Sequence, residues 1–172
     1  KAGILKINVE KAVKLGLPKS SPIYGKILRG KEIAFGNKTI RPEQISYIDP
    51  NCKKFVFLQD TFESESALEQ ASNCDILVHE CTFDDNYIEQ AIMWKHSTAS
   101  MAGEYANSAK ARNLILTHFS TRYKMDQTES KIFEEEAKRH CPETKVLIAH
   151  DLMNIKRKGA DFVIEGTEEI LK

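Results

Sequence analysis

The chain has 172 residues, 25 basic and 25 acidic, so its formal net charge is zero, and 41% of the residues are hydrophobic. That suffices for one globular domain or a large piece of a bigger one, and no apolar run reaches the roughly 18–20 residues of a membrane helix. The zero hides a split: residues 1–41 hold ten Lys or Arg against two acids, a balance of +8 there and −8 in the remainder, so nucleic acid stays among the candidate partners.

Residues 1–50 are irregular and basic. The first element predicted is a short helix from Asn8, a plausible cap, to Leu15, closed by Gly16. A loop follows, since Pro18, Ser20, Ser21, Pro22 and Gly25 favour turns over core. Ile33 to Phe35 and Thr39-Ile40, separated by the turn signal Gly36-Asn37, read as a hairpin. Apolar anchors are few, so this section is expected to sit on, or project from, something larger.

Residues 51–172 alternate short apolar strands with amphipathic helices. The strands expected are 55–58, 76–78, 114–116 and 146–148, and the helices 64–71, 84–95, 99–110 and 127–140. This order predicts α/β architecture, in which chemistry collects at strand ends and the loops beyond them. Asp60, His79-Glu80, His118 and His150-Asp151 all fall at such ends.

Each of these residues has a plain reading beside a chemical one. Asp60 can bridge two metal ions or cap the loop that follows its strand. His118 can ligate a metal or serve as a satisfied structural residue. Glu80 can hold an imidazole in one tautomer and stabilise its protonated form, which would make His96 a proton donor. Ser97 or Thr98 caps the next helix, whose N-terminus also suits a phosphate. His140 suits a helix C-terminus, His150 core hydrogen bonding, and Tyr87, Met93 and Trp94 packing; Glu134 to Glu136 read as a solvated helix face. Cys52, Cys74, Cys81 and Cys141 show no Cys-x-x-Cys spacing, which fits reduced thiols rather than a zinc finger.

Asp60-Thr61, the segment from Ala71 through His79-Glu80-Cys81-Thr82 to Phe83, His96-Ser97-Thr98, and Leu116 through His118-Phe119-Ser120 to Arg122-Tyr123 together resemble the ordered motifs of the ribonuclease Z family. That family of tRNA 3′-processing endonucleases lies in the metallo-β-lactamase superfamily. Leu15 to Pro18 and Tyr24-Gly25-Lys26 resemble its substrate-binding arm, so the likeness spans roughly residues 15–153.

The resemblance implies an α/β chain forming the C-terminal half of a metallo-β-lactamase αβ/βα sandwich, with a basic arm at its N-terminal side. It implies that Asp60 bridges two zinc ions and that His118 ligates one of them. Glu80 and His96 would then work as a pair, His96 protonating the departing 3′ oxygen. Ser97 and Thr98 would border the phosphate, Arg122 would contact RNA backbone or brace its loop, and Lys19 and Lys26 would bind substrate. The implied partners are precursor tRNA and a second copy of the chain, with no membrane. The implied place is inside the cell, in the cytoplasm, with nucleus and mitochondrion left open because Lys1 opens the chain without a readable targeting segment.

The departures matter as much. The superfamily's His-x-His-x-Asp-His signature is absent, no two of the five histidines being one residue apart, and a catalytic zinc takes about three protein ligands. The chain is therefore expected to be a half, to bind zinc poorly alone and to be inactive alone. Half a sandwich is also expected to leave one apolar sheet face uncovered. Gln59, Cys81 and Ser21 stand where the family usually has Gly, Ala and Gly. Two alternatives to the nuclease are a non-catalytic tRNA- or partner-binding module and another phosphodiesterase of the same fold.

Overall fold

The computed structural model describes residues 5–49, 52–159, 161–165 and 170–171, and the chain divides into two compact units, Lys1–Cys52 and Lys53–Lys172.

In the first unit, strand β1 (Leu5–Ile7) leads into helix α1 (Val9–Lys14), capped as the sequence suggests: the Asn8 carbonyl oxygen of the side chain accepts from the Lys11 N–H at 3.0 Å. A second helix, α2 (Tyr24–Leu28), occupies part of the stretch expected to be loop, and the Tyr24 hydroxyl donates to the Pro18 carbonyl to fasten the turn before it. The expected hairpin forms from β2 (Ile33–Phe35) and β3 (Lys38–Ile40), with Ile33 opposite Ile40 and Gly36 in the left-handed conformation the turn requires. Helix α3 (Pro42–Ile45) and strand β4 (Ser46–Ile48), paired antiparallel with β1, complete the unit. Ala12, Leu17, Ile27, Ile33, Ile40 and Ile45 make a buried cluster of its own, so the expectation of few anchors fails. Six apolar residues spread over 34 positions give no run or period that a local reading detects.

In the second unit four strands, β5 (Phe55–Leu58), β6 (Ile76–Glu80), β7 (Asn113–Thr117) and β8 (Lys145–Ile148), pair in chain order and all parallel. The crossovers carry α4 (Leu68–Ala71), then α5 (Ile88–Trp94) with α6 (Ala99–Ser108), then α7 (Gln127–His140). Right-handed crossovers that always step the same way place helices on one face of the sheet. On that face Leu77, Leu114, Leu116 and Val146 pack with Ala99, Ala102, Ala106, Phe133 and Ala137. Alanines and Gly103 line α6 so that α7 comes close: a Cβ on Gly103 would stand 2.3 Å from the Ala137 carbonyl oxygen.

The opposite face is not left bare. Strands β9 (Ile155–Lys158) and β10 (Asp161–Ile164) form a hairpin, extended by β11 (Ile170–Leu171), whose Phe162 and Ile164 cover Ile76, Ile115 and Leu147. Its sequence signal is masked by Lys156, Arg157 and Lys158, all exposed. Cover thins toward the β5 edge, where Phe55 meets Phe162 edge-on at 5.2 Å and Phe57 stays 66% exposed. Among the described residues no helix is long and apolar enough to cross a membrane.

Three local expectations are corrected. Met93 and Trp94 are largely exposed rather than packed, although Trp94 lies 5.7 Å from the Phe83 ring. His150 is exposed, and among the described residues its Nδ1 donates to the carbonyl of its neighbour Asp151 rather than into the core. Glu136 is buried, not solvated, and accepts from the Asp85 N–H at 3.0 Å. Phe133, Glu136 and Ala137 share the core-facing stripe of α7 because residues three and four apart lie on one helix face.

Burial pushes the Glu136 carboxyl up to about 6 from 4.5; the Asp85 N–H and Arg139 oppose that rise, while Asp85 and Asp84 add to it. The folded chain thus holds this proton more tightly than the unfolded chain. The associated stabilisation is complete below about pH 4.5 and is lost as pH rises through 6. Glu136→Gln is expected to flatten stability across that window and to raise it at pH 7 by on the order of 1 kcal/mol. Urea unfolding at pH 5 and pH 7 measures this, and a variant less stable than the parent at pH 7 would contradict it.

Candidate active site

The C-terminal ends of β5, β6 and β7 bring Asp60, Glu80 and His118 together, and the segment between α5 and α6 adds His96. Asp60 lies two residues beyond β5 and His118 one beyond β7, both with left-handed backbone, φ 47° and φ 62°. Such non-glycine residues cost free energy and persist where the surrounding contacts hold them. His118 Nδ1 is 3.2 Å from Asp60 Oδ1, and the rings of His96 and His118 are 5.5 Å apart. One ligand atom from each of Asp60, His96 and His118 falls within 4.8 Å of the others, a group able to hold a metal ion among the described residues.

Glu80 organises the centre. It is fully buried, and its carboxylate accepts five hydrogen bonds. Oε1 takes the Thr61 N–H (3.3 Å), the Ser97 N–H (2.8 Å) and His96 Nδ1 (3.2 Å). Oε2 takes the Thr82 N–H and the Thr82 hydroxyl, both at 2.9 Å. A buried carboxylate costs several kcal/mol unless its lone pairs are satisfied, and here they are. Because a carboxylate can only accept, His96 must carry its proton on Nδ1, which leaves Nε2 as the atom it presents.

Other bonds tie the same loops. The Ser97 hydroxyl donates to the Thr61 carbonyl at 2.6 Å, His96 N–H to the Ala91 carbonyl, and Lys95 Nζ lies 4.8 Å from the centre of the Phe62 ring. The Thr98 hydroxyl caps α6 by accepting from the Met101 N–H. Ser97 and Thr98 are both buried, their hydroxyls occupied in these contacts. The Arg122 guanidinium lies over the rings of Tyr87 (4.3 Å) and Phe83 (5.0 Å), and the Asp84 N–H donates to the Tyr123 hydroxyl. Burial and the Asp84 carboxylate raise that phenol to about 12, against the opposing Asp84 N–H and Arg122.

His79 faces away from this centre. It is buried against Tyr105, its Nδ1 donates to the Glu80 carbonyl at 2.7 Å, and burial pushes its imidazole below the usual value. His140 pairs with Glu104 at 3.2 Å in the last turn of α7. Lys19 and Lys26 are exposed on the first unit. Thr61 and Thr82 stand in the motifs that carry the resemblance, one after Asp60 and two after Glu80, but the reading of the sequence assigned neither a role.

An aspartate oxygen and imidazole nitrogens are the donor types zinc takes, and the cluster is open to solvent on the Asp60 and His118 side, so the residues fit that metal. Asp60, His118 and His96 could each offer one ligand atom, and of the three His96 is held from behind by Glu80.

Curated proteins named ribonuclease Z are similar to this chain over most of its length. The one from Archaeoglobus fulgidus is 38% identical over 152 residues, 88% of this chain and 48% of that protein. The one from Enterococcus faecalis is 35% identical over 149 residues, 87% of this chain and 47% of the relative. The chain therefore spans about half the length of the curated relatives it matches. Among solved structures, the short form of human tRNase Z is 27% identical with a TM-score of 0.46, over 63% of this chain and 35% of that one. No protein-family model matches the chain.

Proposed function

We propose that this chain, a relative of ribonuclease Z over 88% of its own length, carries the proton-donating half of a zinc-dependent endoribonuclease that removes the 3′ trailer from precursor tRNA and leaves a 3′-hydroxyl. The observation that carries this reading is the convergence of Asp60, His118 and the Glu80–His96 pair at one sheet end. Asp60 and His118 would hold zinc together with ligands outside the described residues. Zinc, when bound, supplies an activated water and neutralises phosphoryl charge.

This chain's own residues do the rest. Hydrolysis here breaks the bond between phosphorus and O3′, and the departing O3′ takes a proton. His96 Nε2 gives that proton while Glu80, at Nδ1, stabilises the imidazolium before the transfer and holds the ring's direction throughout. Arg122, stacked on Tyr87 and Phe83, braces the loop behind His96. Exposed Lys19 and Lys26 would contact tRNA phosphates, which set position and affinity without reading sequence.

One assay tests the function and the arm together. The protein from the complete reading frame, loaded with zinc, should cut a trailer-bearing precursor tRNA once, and failure to cut would overturn the nuclease reading. Lys19→Ala with Lys26→Ala should weaken binding and lower the slope of log K against log salt by up to about 2; an unchanged slope would remove the two lysines from the interface.

A further inference from the structure

Thr82 joins the two halves of the site. Its hydroxyl lies 2.9 Å from Glu80 Oε2, 3.1 Å from His118 Nδ1 and 3.1 Å from the His118 carbonyl oxygen. A hydroxyl has one proton to give, and a carboxylate is the stronger acceptor, so the proton goes to Glu80. The oxygen is then an acceptor aimed at His118 Nδ1. Backbone bonds fix both ends of this contact: Cys81 N–H to the Thr117 carbonyl at 2.8 Å and Ser120 N–H to the Thr82 carbonyl at 3.0 Å.

We propose that Thr82 is a positioning residue whose hydroxyl holds His118 in the tautomer with its proton on Nδ1, so that Nε2 is offered to a metal. The inference rests on the zinc reading above for its purpose, but not for its geometry. His118 Nδ1 also faces Asp60 Oδ1 at 3.2 Å. Asp60 is the weaker determinant, because its side chain is 69% exposed and its pull is screened by water, whereas Thr82 is buried. The same hydroxyl links His118 to the carboxylate that orients His96, so one side chain sets the ring of the metal ligand and is itself set by the partner of the proton donor.

The test uses Thr82→Val, which keeps the shape and removes the hydroxyl, and Thr82→Ser, which keeps the hydroxyl. Two-bond ¹H–¹⁵N spectra of the metal-free full-length protein, in alkaline buffer where ordinary imidazoles are neutral, report which ring nitrogen of His118 carries the proton. The parent and Thr82→Ser should show Nδ1–H, and Thr82→Val a shift toward Nε2–H. Zinc affinity, by chelator competition, should fall about tenfold to hundredfold in Thr82→Val and return in Thr82→Ser. An unchanged His118 signal with affinity within about twofold of the parent would assign the tautomer to Asp60 and overturn the proposal. Should Thr82→Val fail to fold, the parent spectrum decides, because Nε2–H there is equally fatal. These readouts need no RNA, so they stand or fall apart from the tRNA reading.

Discussion

Replacing Gly103 with alanine should lower the melting temperature by roughly 4–12 °C. The added methyl would sit 2.3 Å from the Ala137 carbonyl oxygen and 3.0 Å from the Ala137 carbonyl carbon and Cα, all backbone atoms of α7. No rotamer change relieves a clash with backbone, so α6 and α7 must part. Ala99, Ala102, Ala106, Phe133 and Ala137, which pack in one cluster with Leu114 and Leu116, would lose contact together. Overpacking of this kind costs about 3 kcal/mol, and in a chain of this size each kcal/mol is worth about 2–4 °C. Alanine's better helix propensity returns at most about 1 kcal/mol. Thermal melting followed by circular dichroism measures the effect, and a shift smaller than about 2 °C would mean that the two helices are not held at this distance.

The clash also bears on the site. Helix α6 begins at Ala99, its cap Thr98 standing two residues after His96, and its start is held against the Phe83 segment by Phe83 N–H to the Ser97 carbonyl and Ala99 N–H to the Phe83 carbonyl. A displaced α6 would therefore drag the loop that carries His96, and activity should fall along with stability.

How far the residues announced all this depends on the range of the interaction. Strands β5 to β8 and the helices between them were legible because Ile76 to Val78 and Leu114 to Leu116 are continuous apolar runs, the mark of strands buried on both faces. Asp60 and His118 were legible as candidates because they stand just past such runs. Glu80 with His96 was legible as a candidate pair from residue chemistry, a carboxylate beside an imidazole, but across 16 positions only the resemblance turned the candidate into an expectation. What stayed hidden is what depends on two loops meeting. Thr82 is an ordinary threonine until His118 approaches it, and the buried Glu136 hides in a run of glutamates that only the phase of α7 resolves. The β9–β10 hairpin went unseen because one of its strands is mostly Lys and Arg, with its apolar contribution concentrated in Phe162 and Ile164. Helix α2 was missed because Pro22 and Gly25 outweigh the helix signal of Lys26 to Leu28, which forms because Ile27 has a buried cluster to enter.

The second large effect concerns His96, and two roles compete for it. It lies in the group that can hold a metal, and it is also backed by Glu80, an arrangement that serves a metal ligand or a proton donor alike. The proton-donor role makes the sharper forecast. A positioned acid or base is worth about 10²–10⁴ in rate, and its removal should spare both substrate binding and the metal. The most direct measurement is therefore single-turnover cleavage of precursor tRNA by His96→Ala in the complete zinc-loaded protein, with tRNA affinity and zinc content read on the same sample. Cleavage slower by about 10²–10⁴, with affinity within about twofold and zinc unchanged, is the expected result. Loss of zinc, or equal losses in cleavage and binding, would contradict it and make His96 a ligand or an RNA contact instead.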